Sequence, residues 1–181
     1  MNELRIRLIS ELLQSCYGRY SDAALDFSNL DAKAQNTITI SGIFLAGTVA
    51  FFTGDSLQKL ISLGSRPILV MLGLVTLLLM TSVAFCIHAM WIRDISTKDL
   101  SVSTEEVKLI LDESSDDFAE RYERYLLTEV EQLNQVSSDL HETNRKKAFA
   151  IKVGQMHLTL AVFGAAMLLL YLLVLAWRSS S

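Results

Sequence analysis

Residues 67–92 read PILVMLGLVTLLLMTSVAFCIHAMWI, and not one of these side chains is Asp, Glu, Lys or Arg. Two further stretches of the chain, 34–54 and 153–177, lack the same four residue types. A helix that spans a membrane needs about 20 consecutive, mostly apolar residues. The pattern therefore predicts an all-α membrane protein with three transmembrane helices. The stretch 34–54 carries the polar residues Asn36, Thr37, Thr39 and Ser41, so a buried or re-entrant segment is the alternative there.

The composition excludes several classes of protein. The 181 residues are 51% hydrophobic and 20% charged, with a formal net charge of −4. Disordered chains combine low hydrophobicity with high net charge, which this chain does not. Nucleic-acid-binding domains are usually basic, so we expect no nucleic acid partner. The sequence contains no glycine-rich phosphate loop, HExxH, GxSxG or CxxC, and we therefore expect no enzyme activity, cofactor or metal site.

The distribution of Lys and Arg predicts the orientation in the membrane. Residues 1–33 and 93–152 together hold 13 of these residues, and the remaining segments hold 3. Lys and Arg accumulate in cytoplasmic segments, and two crossings would return the chain to the same side. We therefore expect a cytoplasmic N-terminus and an extracytoplasmic C-terminus.

The same reasoning divides the chain into five segments. The predicted segments are an amphipathic N-terminal helix in 1–33, a transmembrane hairpin in 34–92 with spans of about 34–54 and 67–92, a cytoplasmic helical region in 93–152, a third span in 153–177 and a tail in 178–181. No Gly or Pro lies between Phe118 and Val153, so we expect the long cytoplasmic helix to continue into the third span.

An apolar stripe on this long helix needs a partner. Phe118, Tyr122, Leu126 and Leu133 recur at helical spacing and form a candidate helix interface. The N-terminal helix is one candidate partner, and a second copy of the chain, in a homo-oligomer, is another.

Polar residues inside the predicted spans form a candidate gating collar. Asn36, His88 and His157 lie at similar distances from the cytoplasmic ends of their spans. Ionisable groups inside a membrane often mark a pathway or a switch. The alternative is that each imidazole simply reaches interfacial water or a backbone carbonyl.

Basic residues at the same side form a candidate contact for lipid or another anion. This basic belt comprises Lys33, Arg145, Lys146, Lys147 and Lys152. Its simplest role is to fix orientation and to attract anionic lipid of the bilayer. The alternative role is to bind a phosphate group, together with Arg121 or Arg124.

Small residues recur at four-residue spacing in two of the spans. Gly42, Ala46 and Ala50 lie in the first span, and Ala161 and Ala165 lie in the third. Small residues at this spacing allow helices to approach closely. We expect these faces to pack within one chain, although packing between chains is the alternative.

Two short motifs resemble a known family. Leu30-Asp31-Ala32-Lys33-Ala34 precedes the first span, and Asn144-Arg145-Lys146-Lys147-Ala148 precedes the third. This organisation resembles the transmembrane effectors of Pycsar anti-phage systems and related small membrane effectors of nucleotide-signalling defence systems. The matching positions are Asp31, Lys33, Ala34, Asn144 and Lys147.

The resemblance implies a function in antiviral defence. A partner cyclase would produce a cyclic pyrimidine mononucleotide, and the effector would respond by impairing the bacterial inner membrane. No ligand-binding residues carry over, and 93–152 is too short for a separate cyclic-nucleotide-binding β-roll. The alternative function is a structural or scaffolding membrane subunit that docks a cytoplasmic enzyme or a transporter partner.

Overall fold

The computed structural model describes residues 2–53, 66–92 and 118–180. These residues form three α-helices: α1 spans Asn2–Thr53, α2 spans Arg66–Trp91 and α3 spans Phe118–Ser180. The predicted all-helical fold is confirmed for this part of the chain. The predicted cytoplasmic region lies partly outside the described residues, in 93–117, as do Gly54 of the first predicted span and Ser181 of the tail.

Two of the described helices are long and apolar enough to cross a membrane. They are α2 and the apolar part of α3, judged by length and composition alone. The membrane-spanning role of 34–54 in α1 stays a prediction.

The buried residues of all three helices follow a repeat of three and four residues. In α2 the buried positions are Ile68, Leu72, Val75, Leu79, Ser82, Cys86 and Ala89. In α3, steps of seven residues from Leu133 arrive at Leu140, Lys147, Gly154, Ala161 and Leu168, all of which are buried. This spacing keeps one narrow seam of each helix facing its neighbours, as in coiled coils.

The described residues divide into two compact units. The first unit comprises 2–29 and 118–145, and the second unit comprises 30–53, 66–92 and 146–180. Both α1 and α3 contribute residues to both units.

In the first unit, α1 and α3 run parallel. Cys16 packs against Val130 and Leu133 in one apolar cluster, which Ile9, Leu13 and Tyr20 of α1 extend. Nearer the start of both helices, the Arg5 guanidinium lies 3.4 Å from the Glu123 carboxylate. The order of these contacts along both helices fixes the parallel direction.

The candidate interface on α3 is therefore partly covered by α1. Leu126 and Leu133 are buried, and Leu133 lies in the cluster with Cys16. Phe118 and Tyr122 are half-buried, and their rings stack nearly parallel at 6.1 Å between centroids. Of the two predicted partners, α1 of the same chain covers the Leu133 part of the stripe.

The burial of Leu133 predicts the effect of truncating it. Leu133→Ala would leave a cavity against α1 and destabilise the first unit by roughly 2–5 kcal/mol. The control is Leu127→Ala on the same helix, because Leu127 is 42% exposed and its loss creates no cavity. Thermal unfolding in detergent, followed by helical circular dichroism, measures both variants. Equal melting temperatures for the two variants would contradict the packing of α1 on α3.

In the second unit, α2 runs antiparallel to α3. Ile68 and Leu72 of α2 pack on Leu168, whereas Val75 and Leu79 pack on Ala161. Toward the other end of α2, Cys86 and Ala89 pack with Ala150 and Ile151 of α3 and with Ala34 of α1.

The two predicted small-residue faces differ in their surroundings. Ala161 of α3 is buried in the cluster with Val75, and Ala165 packs at its edge. In α1, by contrast, Gly42 and Ala46 are exposed, and a Cβ built on Gly42 would meet nothing within 4 Å. The face of α1 that is buried carries Ala34, Thr37 and Ser41 instead. Ala161 and Ala165 therefore meet the expectation of packing within one chain, whereas Gly42 and Ala46 do not meet it among the described residues.

Candidate functional site

An ion pair joins α1 and α3 at one end of the second unit. The Lys147 ammonium lies 2.6 Å from a carboxylate oxygen of Asp31. The Lys147 side chain is 0% exposed, whereas the Asp31 side chain is 32% exposed. Lys147 is also the largest of the fully buried side chains in the described part of the chain.

The helix repeat explains why this lysine is buried. Lys147 lies seven residues after Leu140 and seven before Gly154, so its Cβ faces the packing seam. Removing an ammonium group from water costs several kcal/mol, and a paired carboxylate offsets that cost only when the two groups are close. Asp31 provides this close carboxylate, while its own exposed part stays hydrated.

A polar contact of a different kind lies in the first unit. The Asn144 amide nitrogen donates a hydrogen bond of 2.8 Å to the backbone carbonyl of Ala23 in α1. Both residues are buried. The amide oxygen of Asn144 has no hydrogen-bond partner among the described residues. A buried Asn at a coiled-coil position fixes helix register at a cost in stability.

Hydroxyl groups connect the three helices deeper in the second unit. The Ser82 hydroxyl of α2 donates 2.8 Å to the Gly154 carbonyl of α3, and it lies 3.2 Å from the Ser41 hydroxyl of α1. Both serines are completely buried. Nearby, the Gln155 amide donates to the Thr37 hydroxyl at 3.5 Å. These contacts satisfy polar groups inside the bundle, which is how polar side chains join helices in membranes.

Gly154 allows α2 and α3 to approach closely. A Cβ at this position would lie 2.7 Å from the Cys86 sulfur and 3.1 Å from the Ser82 carbonyl oxygen. The Ser82 to Gly154 hydrogen bond therefore depends on the missing side chain.

The three residues of the candidate collar do not share contacts. The His157 ring nitrogen Nδ1 lies 2.8 Å from the Val153 carbonyl oxygen, and the ring stacks on Phe85 at 5.7 Å. Asn36 and His88 are exposed. Within the described residues, no hydrogen bond joins any two of these three. The backbone carbonyl contact of His157 matches the simpler alternative for that residue, and a gating role for the collar stays a prediction.

The basic belt separates into one buried residue and four exposed ones. Lys33, Arg145, Lys146 and Lys152 are exposed, in keeping with a surface contact. Lys147 differs, because its ammonium group is buried against Asp31 rather than facing lipid or solvent. The five residues therefore do not form one uniform surface.

No family model, curated protein or solved structure matches the chain. In the parts that the structure describes, no cluster of three or more His, Cys, Asp or Glu side chains is arranged to hold a metal ion.

Sequence reasoning named Lys147 but assigned it to the surface, and it named Asp31 only as part of a motif. The signal that would have revealed the burial of Lys147 is the repeat of buried positions every seven residues from Leu133. This repeat places Lys147 on the same seam as Leu140 and Gly154. A lysine on a seam needs a carboxylate partner, and Asp31 is the single acidic residue in 30–53, 66–92 and 146–180.

The tight contact at Gly154 generates a prediction. Gly154→Ala would force apart α2 and α3 and destabilise the bundle by about 1–3 kcal/mol, since overpacking displaces the neighbouring atoms. Adding Cys86→Ala removes the nearer of the two clashes and is expected to restore part of the loss.

Gly42→Ala is the matched control, because nothing lies within 4 Å of its added Cβ. Melting temperatures in detergent measure all the variants. A Gly154→Ala protein as stable as the Gly42→Ala protein would contradict the close approach of the helices.

Proposed function

We propose that the chain is a three-span membrane protein whose first span lies in 34–54. The second unit has the polarity expected of a protein surrounded by lipid. Its buried positions include Thr37, Ser41 and Ser82, whereas large apolar side chains cover its outside. A water-exposed apolar surface of this extent would promote association. The exposed side chains include Ile43, Phe44, Val49, Leu74, Leu77, Met80, Phe163, Leu170 and Leu173.

The directions of the helices support the proposed topology. A chain that crosses three times has its first and third spans parallel and its second antiparallel. The contacts of Asp31 with Lys147 and of Thr37 with Gln155 give α1 and α3 the same direction in the second unit. The Lys and Arg distribution then favours a cytoplasmic N-terminus.

We further propose that the protein is an anti-phage effector of the inner membrane that responds to a cyclic nucleotide signal. The observation that carries this proposal is the ion pair of Asp31 with Lys147. The two motifs that resemble the Pycsar membrane effectors contribute one partner each. The motifs therefore meet as one physical element at the end of the bundle, where a signal from the cytoplasm would act.

This ion pair stabilises the closed bundle more than an opened, hydrated one. In the closed bundle the close Asp31 carboxylate helps to offset the cost of burying the Lys147 ammonium, which is several kcal/mol. In a hydrated, opened bundle both groups bind water, and an exposed pair contributes only about 0–1 kcal/mol. A ligand or partner that binds the open form more tightly would therefore shift the population toward it.

Two variants of the pair are expected to act in opposite directions. Asp31→Asn removes the carboxylate that lies 2.6 Å from the buried Lys147 ammonium, which destabilises the closed bundle, so the bundle opens and the membrane depolarises without any signal. Replacing both partners with apolar residues, as Asp31→Leu with Lys147→Met, removes the buried charges and keeps the bundle closed. A membrane-potential dye in bacteria that produce each variant measures the effect.

The wild type provides the reference for both variants. It is expected to hold the potential alone and to lose it when an active pyrimidine cyclase is produced in the same cells. A reporter fused after Ser181 verifies insertion of each variant. If the wild type and Asp31→Asn both keep the potential with the cyclase active, the effector function is excluded. The scaffolding function would then remain.

A further inference from the structure

The end of the second unit that carries the ion pair also presents exposed aromatic and cationic side chains. Phe149 of α3 is 69% exposed, and Trp91 at the end of α2 is 83% exposed. Phe149 precedes Ala150, a buried member of the cluster that joins the three helices, and Trp91 follows Met90, which packs against that cluster. The two rings therefore project outward from the same level of the bundle.

Two lysines project outward near the same level. Lys33 precedes Ala34, which is another member of the cluster, and Lys152 follows Ile151. Both lysines are exposed, and neither forms an ion pair with any residue that the structure describes. Lys152 also lies one turn after Phe149 on the exposed side of α3.

The charges of the second unit are not balanced within it. Asp31 is the single acidic residue in 30–53, 66–92 and 146–180, and it already contacts Lys147. Lys33 and Lys152 therefore have no further carboxylate among the residues of this unit that the structure describes. An anion from outside these segments can pair with them.

We infer that Lys33, Lys152, Phe149 and Trp91, which are exposed on three helices at this level of the bundle, contact anionic phospholipid. The ammonium groups bind the phosphate of the headgroup, and the rings lie at the boundary of headgroups and acyl chains. Aromatic residues and lysines concentrate at this depth of a bilayer for these reasons. A soluble phosphate lacks acyl chains to contact the rings, so the surface selects lipid over free anion.

This inference rests on the proposed insertion into the membrane, and the experiment separates the two. The protein is reconstituted into vesicles of phosphatidylcholine and phosphatidylglycerol in equal amounts, and carbonate extraction tests insertion. Native mass spectrometry of the released protein then counts the lipids retained. Extraction by carbonate would contradict the membrane proposal, whereas insertion without enrichment of phosphatidylglycerol would contradict this inference alone.

The variants test the named lysines. Enrichment of phosphatidylglycerol on the wild type is expected to fall about 10–30-fold in Lys33→Gln with Lys152→Gln, because each surface lysine attracts anionic lipid by about 1 kcal/mol. The control is Arg7→Gln with Arg19→Gln, which changes the net charge equally within the first unit. Unchanged enrichment in the lysine variant, or an equal fall in the control, would overturn the assignment.

Two conditions distinguish lipid binding from general attraction of anions. Soluble glycerol phosphate is expected to leave the enrichment unchanged, since it cannot contact Phe149 and Trp91. Enrichment is expected to weaken at high salt, since both lysines are exposed and screened. Displacement of the lipid by glycerol phosphate would show a site for free anions and overturn the lipid assignment.

Discussion

A buried lysine, on the part of α3 within the second unit that otherwise buries apolar and small side chains, constrains that unit. Lys147 occupies a position that the three-and-four repeat of α3 directs into the helix contacts, and its ammonium group contacts Asp31 at 2.6 Å. The pair fixes which residue of α1 lies beside which residue of α3, because a shift along either helix would move the buried ammonium away from this carboxylate. A polar residue at one core position commonly specifies helix register in this way. Leucine at the same position would pack without imposing that requirement.

The small and polar residues beyond the pair follow from the same geometry. Gly154 lies seven residues after Lys147, and its missing side chain lets Ser82 reach the Gly154 carbonyl. Ser41 of α1 then lies within hydrogen-bonding distance of Ser82. The polar atoms are thus satisfied inside the bundle, and the large apolar side chains are left on the outside. This arrangement suits a lipid environment, where the hydrophobic effect does not drive helices together and close packing does.

Much of the fold follows from the sequence because long charge-free stretches and helical periodicity are local signals. They predict helices in 1–33, 34–54 and 67–92 and the unbroken course of α3, whose periodicity includes Leu126 and Leu133. They do not predict that the first two of these helices form one unbroken α1. The face of α1 that packs was harder to identify, since Gly42 and Ala46 suggested close packing but Thr37 and Ser41 are buried instead. Which face of α1 packs depends on the side chains that α2 and α3 present to it. Ser82 of α2 presents a hydroxyl group, which lies within hydrogen-bonding distance of the Ser41 hydroxyl. The seven-residue repeat of α3 places Lys147 on the buried seam, but local signals do not reveal its carboxylate partner, because Asp31 lies 116 residues away in sequence.

The coupling between Asp31 and Lys147 tests the account most directly. Its measurement is a double-mutant cycle on folding stability in detergent with Asp31→Asn, Lys147→Met and the combined variant. We expect each single change to destabilise the protein and the combined change to cost less than the sum, with a coupling of about 1–3 kcal/mol. Because the Asp31 side chain is partly exposed, solvent screens its charge. We therefore expect a smaller coupling free energy than a fully buried ion pair would have. Additive single effects, with no coupling between the two sites, would contradict the account.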